Sequence, residues 1–292
     1  MKEIKPYQIA VLVTCHNRKQ KTLNFLESLY KQNNFDAQNT DVYLLDDGSI
    51  DGTTAAVNSI YPKVNIITGS GNLFWAGGMR TIWNYALAQK RYDIYFLFND
   101  DIVLFEDAVE KLVKQYQHLK QEGVILVGST ISKETNKISY GGNLFKNLKH
   151  CAYYRIEPDP DKCIPCHMAN ANILLVDKFT VKKIGIFPEV YTHCLADYDY
   201  TFTAFKSGIG VWLAPGFYAY CENDHGINWL PGSVPLKKRI EYLYSPKGLA
   251  YKEYLYYIRK HFPSDYTVSF IKLWLKTFFP FIWDKFKPWE NH

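Results

Sequence analysis

Four apolar runs, Ile9–Thr14, Val42–Leu45, Val64–Thr68 and Tyr95–Phe98, each give way to a polar cluster: TCHNR, DDGS, GSGNLFWAGG and NDD. Helix-like segments at Lys21–Lys31, Gly78–Lys90 and Glu106–Lys120 alternate with them, and Val124–Val127 is a fifth run. Strand and helix signals in alternation predict an α/β domain with a doubly wound, mostly parallel sheet flanked by helices. Ligands of such sheets bind beyond the carboxyl ends of the strands. Four strand ends here offer polar groups to one edge.

Among those clusters, the run from Tyr95 to Leu104 sets Asn99, Asp100 and Asp101 between apolar residues. Adjacent carboxylates repel, and half-burying one is costly unless something positive meets it. A strand end running into a helix cap would account for Asn and Asp there. A divalent metal would account for the pair. The stretch DDGSIDG is, by itself, also a good Asp-rich turn.

At 292 residues and 34.0 kDa the chain can bury a large core, and one large domain with an appendage is the natural expectation. Aromatic residues make up 16%, enough for a core, a carbohydrate platform or a membrane interface. The net charge of +5 suits anionic ligands or lipid headgroups. It is too small to argue for nucleic acid, and no basic tract is interleaved with aromatics. The N-terminal residues have no secretory pattern, and no window reaches the roughly 18 apolar residues of a spanning helix. A cytoplasmic protein with reduced cysteines is expected.

The succession VLVTCHNR, LLDDGSIDGT, GNLFWAGGMR, FLFNDDIVL and ADYDYTFTAFKSG resembles the family 2 glycosyltransferases, whose catalytic domain has the GT-A fold. The resemblance spans about Ile9 to Ala214. It implies a metal-dependent, inverting transfer of a sugar from a nucleoside diphosphate donor, UDP or dTDP, to a hydroxyl of a glycan or lipid-linked acceptor in polysaccharide biosynthesis. Asp46 or Asp47 would accept the N3–H of a pyrimidine base, with Thr14 and Asn17 lining the same pocket. Asp101 would hold Mn²⁺ or Mg²⁺, because Asn99 stands where the family has its first Asp, and Asp100 would face the ribose or sugar. Gly77 and Gly78 would let the backbone approach the donor, and Arg80 would reach a phosphate at the helix start. Asp197 would be the general base, with Asp199 structural. His225 is a candidate ligand of metal or diphosphate. Ala196 and Thr203 depart from the family's usual Glu and Arg.

The implied organisation is a catalytic domain over residues 1–222, divided near residue 130 into nucleotide and acceptor halves, followed by a helical aromatic and basic extension over 223–292. In the tail, helical placement sets Ser269, Lys272 and Lys276 on one stripe, away from Phe270, Ile271, Trp274 and Phe278. The segment could lie on a membrane, or pack on the catalytic domain or a second subunit; the resemblance favours peripheral contact at the inner face of the cell membrane. Oligomeric state is open. Cys163-Ile164-Pro165-Cys166-His167 has the spacing of a haem attachment site, but local packing is the better reading. The rival functions are a catalytically silent glycan-binding or scaffold protein and, more remotely, a sugar-phosphate nucleotidyltransferase.

Overall fold

The computed structural model describes residues 6–223 and 228–286. In chain order, the first half comprises β1 (Ile9–Cys15), α1 (Lys19–Tyr30), β2 (Thr40–Asp46), α2 (Thr53–Ile60), β3 (Asn65–Thr68), α3 (Phe74–Gln89), β4 (Ile94–Asn99), β5 (Val103–Leu104), α4 (Ala108–Leu119) and β6 (Val124–Ile131). The second half adds β7 (Ile138–Tyr140), β8 (Gly142–Phe145), β9 (Tyr153–Arg155), β10 (Ile164–Pro165), β11 (Met168–Ala169), β12 (Ile173–Asp177), α5 (Lys178–Ile184), α6 (Ala196–Lys206) and β13 (Gly210–Tyr220). Helices α7 (Leu236–Tyr244), α8 (Tyr251–His261), α9 (Tyr266–Phe278) and α10 (Phe281–Phe286) follow.

The main sheet runs β10-β13-β6-β12-β4-β1-β2-β3, with β5 on β13 and β7 on β6. Strands β3, β2, β1 and β4 are parallel. β12 is antiparallel to both of its neighbours, β4 and β6. A small sheet, β11-β8-β9, stands apart. The sheet is therefore mixed and mostly parallel, with helices on its faces.

Why the first strands read as unbroken apolar runs is clear from their two faces. In β1, Ala10 and Leu12 pack with Met79, Ile82 and Trp83 of α3, whereas Val11 and Val13 pack with Phe25, Leu26 and Leu29 of α1. A strand covered on both faces has no polar alternation to show. Each such Leu, Phe or Met contributes about 1.5–3 kcal/mol by burial. Tyr257 and Ile258 of α8, with Phe262 just after it, enter the same cluster as α3 and α6.

Two local features differ from the sequence expectation. The DDGSIDG turn runs directly into α2, whose start is fixed by Asp51 accepting the Thr53 N–H at 3.0 Å. Gly78 serves packing rather than ligand approach: a Cβ there would lie 2.5 Å from Thr14 Oγ1 and 3.0 Å from Leu45 Cδ2. It lets α3 settle directly on β1 and β2. The Cys163–His167 stretch is consumed by strand pairing, with Ile164 and Pro165 opposite Leu213 and Trp212. His167 Nδ1 accepts the Phe145 N–H at 2.9 Å, and all six cysteines are free thiols.

Candidate active site

Register brings the polar clusters level. Thr14 pairs with Leu45 and with Asn99, Cys15 with Asp46, and Asp46 with Thr68. The loops after β1, β2, β3 and β4 therefore leave one edge of the sheet together. The reversed strand β12 enters at that edge, so Asn170, Ala171 and Asn172 join them, and the Asn99 N–H donates to the Asn172 carbonyl at 3.2 Å.

On the β2 side the acids organise loops. Asp46 and Asp47 are both buried. Asp46 accepts the Ser49 N–H at 2.8 Å and the Thr54 hydroxyl. Asp47 accepts the N–H groups of Gly71 at 2.8 Å, Leu73 at 2.8 Å and Phe74 at 3.0 Å. Both oxygens of each carboxylate thus already hold donors from the chain. Asn17, at φ 51°, bridges the loops after β1 and β2: its N–H donates to Ser49 Oγ and its Oδ1 accepts the Ile50 N–H, each at 2.8 Å.

The start of α3 is also satisfied internally. Asp47 takes the Leu73 and Phe74 N–H groups, His193 Nδ1 that of Trp75, and the Thr192 carbonyl those of Ala76 and Gly77. Arg80 donates through Nη1 to the carbonyls of Pro188 and Tyr191, both at 3.0 Å. Gly77, expected to let the backbone approach the donor, and Arg80, expected to reach a phosphate, thus both donate to the 188–193 loop in this structure, and the orphan donors of Leu73 and Phe74 are met by Asp47.

At the end of β4 the adjacent carboxylates have a positive partner supplied by the chain. Arg18 Nη1 lies 3.2 Å from Asp100 Oδ1 and 2.9 Å from Asp101 Oδ2. The Thr22 hydroxyl donates to Asp100 Oδ2 at 3.2 Å. Burial pushes Asp100 up, Arg18 holds it down, and its pKa settles at about 6. Burial lowers the pKa of Arg18, but the two carboxylates raise it more. Asn99 Oδ1 accepts the Trp75 indole N–H at 2.8 Å; a neutral amide there spares the turn a third adjacent charge. Arg18 was not singled out from the sequence, although it belongs to the TCHNR cluster. The signal available was a cation just past β1, the strand beside β4.

Among the described residues, no three His, Cys, Asp or Glu side chains form a metal cage. Mg²⁺ commonly binds through one or two carboxylates plus substrate phosphates and needs no such cage. Asp101 fits that arrangement: its Oδ2 faces Arg18 and, at 4.0 Å, Lys21, while among the described residues the Cys221 thiol reaches Oδ1 at 4.0 Å. His225 lies outside the described residues.

Beyond the loop entering β12, α6 begins after Leu195, which is held at φ 68°, a left-handed conformation that is strained for a residue of that shape. Asp197 lies in the first turn and accepts the Ala171 N–H at 3.1 Å. Burial raises its carboxyl to about 6. Asn170 Nδ2 donates to Tyr198 Oη at 3.2 Å, while its buried Oδ1 has no partner among the described residues. Asp199, two residues on, is fully buried, ion-paired with Lys260 Nζ at 2.8 Å and hydrogen-bonded with His261 Nε2 at 2.7 Å. Burial pulls Asp199 up, but His261 and Lys260 pull it further down, to below the ordinary carboxylate value. It ties α6 to α8.

Contacts therefore run without a break from Asp100 and Asp101 through Asn99, Asn172 and Ala171 to Asp197. A mostly parallel α/β sheet with acids at the end of β4 and at the start of α6 is the frame of a GT-A glycosyltransferase. The family model "Glycosyl transferase family 2" matches residues 10–175, more than half of the chain, and the chain belongs to that family. No curated protein matches it.

Among solved structures, S. aureus TarS 1-349 aligns at 17% identity over 73% of this chain and 60% of that one, with a TM-score of 0.51. The same protein in complex with UDP aligns at 16% identity over the same shares, with a TM-score of 0.53. The longer S. aureus TarS aligns at 17% identity over 73% of this chain but 36% of that one, with a TM-score of 0.52. These likenesses establish the GT-A fold. This chain spans less than two thirds of the TarS chains it matches.

Proposed function

We propose that the protein is an inverting glycosyltransferase that moves a sugar from a nucleoside diphosphate donor, UDP or dTDP, to a hydroxyl of a glycan or lipid-linked acceptor during polysaccharide assembly. The observation that carries this reading is the continuous line of contacts from the Asp100–Asp101 turn to Asp197. It puts the Asp100–Asp101 turn and the Asp197 carboxylate on one sheet edge, which supports a diphosphate at the first and an acceptor hydroxyl at the second. That TarS has been solved in complex with UDP supports a nucleoside diphosphate donor.

In this reading Thr14, Asn17 and the Asp46–Asp47 turn frame the nucleoside, Asp46 and Asp47 by fixing the loops rather than by protruding. Asp100 turns toward the ribose or sugar. Arg18, now between Asp100 and Asp101, is also placed to meet phosphate oxygens. Asp101 would hold Mn²⁺ or Mg²⁺ together with the donor's phosphates, and the cation would neutralise charge on the leaving diphosphate. Asp197 takes the acceptor hydroxyl's proton as that oxygen attacks the anomeric carbon in line with the departing diphosphate, inverting the centre. Its raised pKa makes it a better proton acceptor than an exposed Asp, and the Ala171 N–H orients it. Asn170 Oδ1 is available to accept from the incoming sugar.

Thermal stabilisation by a panel of nucleoside diphosphates, each with Mn²⁺, Mg²⁺ or chelator, tests the donor site. A metal-dependent shift for UDP or dTDP is expected. No shift with any nucleotide, on folded protein, would overturn the donor site and favour a binding module.

A further inference from the structure

Helix α9 faces the protein with small and polar residues. Its buried stripe is Ser269, Leu273 and Thr277, spaced at i, i+4 and i+8. The stripe is anchored: the Thr277 carbonyl accepts from Arg239 Nη1 at 2.7 Å, and Trp274 Nε1 donates to Tyr251 Oη at 3.3 Å. The opposite side, at i, i+3, i+7 and i+10, is Val268, Ile271, Leu275 and Phe278, all apolar. Val268 is 52% exposed, Ile271 48% and Phe278 44%, and Phe279 at 47% and Phe281 at 61% continue the patch. A helix that turns its aromatic side away from its own core has an apolar partner outside it.

Charge selects the partner. Between residues 228 and 286 there are ten lysines and arginines against four acids, a net +6, whereas the rest of the chain has one more acid than base. A second copy would bring the same sign to the face, whereas an anionic surface would be attracted. Lys272 stands beside the apolar stripe, and with Lys276, whose Nζ donates to Asn228 Oδ1 at 2.6 Å, it lines a cavity of about 250 Å³ together with Leu195, Ser269 and Leu273. Among the described residues no helix is long and apolar enough to cross a membrane; α9 is one that can lie in an interface.

We propose that the outward face of α9 and α10 docks on a bilayer surface carrying anionic lipid, with Val268, Ile271, Phe278 and Phe281 entering the headgroup layer and Lys272 at its margin meeting lipid phosphates. Through the cavity beside Leu195, the docked helix borders the segment that leads into Asp197, so an acceptor held in that bilayer is delivered to the acceptor side. This extends the lipid-linked half of the proposed function and rests on it only for that delivery.

The test is co-sedimentation of the full chain with phosphatidylcholine vesicles, with or without phosphatidylglycerol, read without turnover. Binding is expected on the anionic vesicles, weakening as salt rises. An Ile271→Glu, Phe278→Glu variant should lose about tenfold or more of its partition, while Ile60→Glu, an exposed apolar position at the end of α2, should lose none. The nucleotide-induced thermal shift should be unchanged in both, separating a failure of docking from a failure of the donor site. Equal binding by wild type and the double variant, no binding to anionic vesicles, or a dimer in light scattering that the double variant dissolves would each overturn the proposal.

Discussion

Asp197 accepts the Ala171 backbone N–H at 3.1 Å, so the position of this carboxylate is set by the loop entering β12 as much as by α6. Asn at 197 can still accept that bond through its amide oxygen but cannot take a proton. Asp197→Asn should therefore fold normally and keep nucleotide-induced stabilisation while losing about 10²- to 10⁴-fold in transfer rate. Normal turnover would remove the assigned base.

The raised pKa of Asp197 has two consequences of opposite sense. As a base it works only when ionised, so transfer should decline as pH falls through about 6. For stability, the folded state retains this proton between the ordinary 3.8 and about 6, where the unfolded chain has lost it. The group thus costs stability as pH rises through that window. Asp197→Asn should be more stable than wild type above pH 6 and indistinguishable from it in acid; urea midpoints across pH decide the point.

Asp199 should behave in the opposite way. Its folded pKa is lowered, so its contribution is complete above 3.8 and disappears as pH falls through the folded value. Asp199→Asn leaves Lys260 and His261 without their partner and should cost about 3 kcal/mol at neutral pH, measured by urea unfolding. A change in donor binding beyond that loss of fold would contradict a purely structural role.

Removing Arg18 leaves Asp100 and Asp101 facing each other. Arg18→Ala should cost about 1–3 kcal/mol. The penalty should shrink as pH is lowered past about 6, where Asp100 takes up a proton. A penalty independent of pH would mean that the guanidinium acts through packing alone.

Gly78→Ala drives a methyl against Thr14 Oγ1 and Leu45 Cδ2 at 2.5 and 3.0 Å. Overpacking of this kind costs about 1–3 kcal/mol, and a lower thermal midpoint is expected. An unchanged midpoint would show that α3 can lift from β1 without loss.

Strands β1, β2 and β4 were legible because burial on both faces leaves continuous apolar runs. The composition ILLV of β12 is equally plain, but its direction is not, since direction depends on how the chain returns to the sheet. Helix α2 escaped notice because Thr53–Ile60 buries only Thr53 and Val57, so it carries almost no apolar stripe, and the turn chemistry before it dominates. The site acids stood out by type and order, whereas their partners did not. Arg18 meets Asp100 across 82 residues, and Asp199 meets His261 across 62, separations that only strand order and helix packing bring together. The resemblance implied a base contact for Asp46 or Asp47, and backbone N–H groups together with the Thr54 hydroxyl hold their oxygens here.

The reversal of β12 changes which parts of the chain are free to diversify. Elsewhere on this edge a loop follows its strand, but at β12 the loop comes first, and its residues 170–172 stand between the β4 turn and Asp197. Lengthening or exchanging the segment between β11 and β12 would reshape the room left for the incoming sugar without touching the nucleoside end. Equivalent changes after β12 fall at the opposite edge, next to α5, and would leave specificity alone. Relatives that differ in acceptor are thus expected to differ before this strand rather than after it.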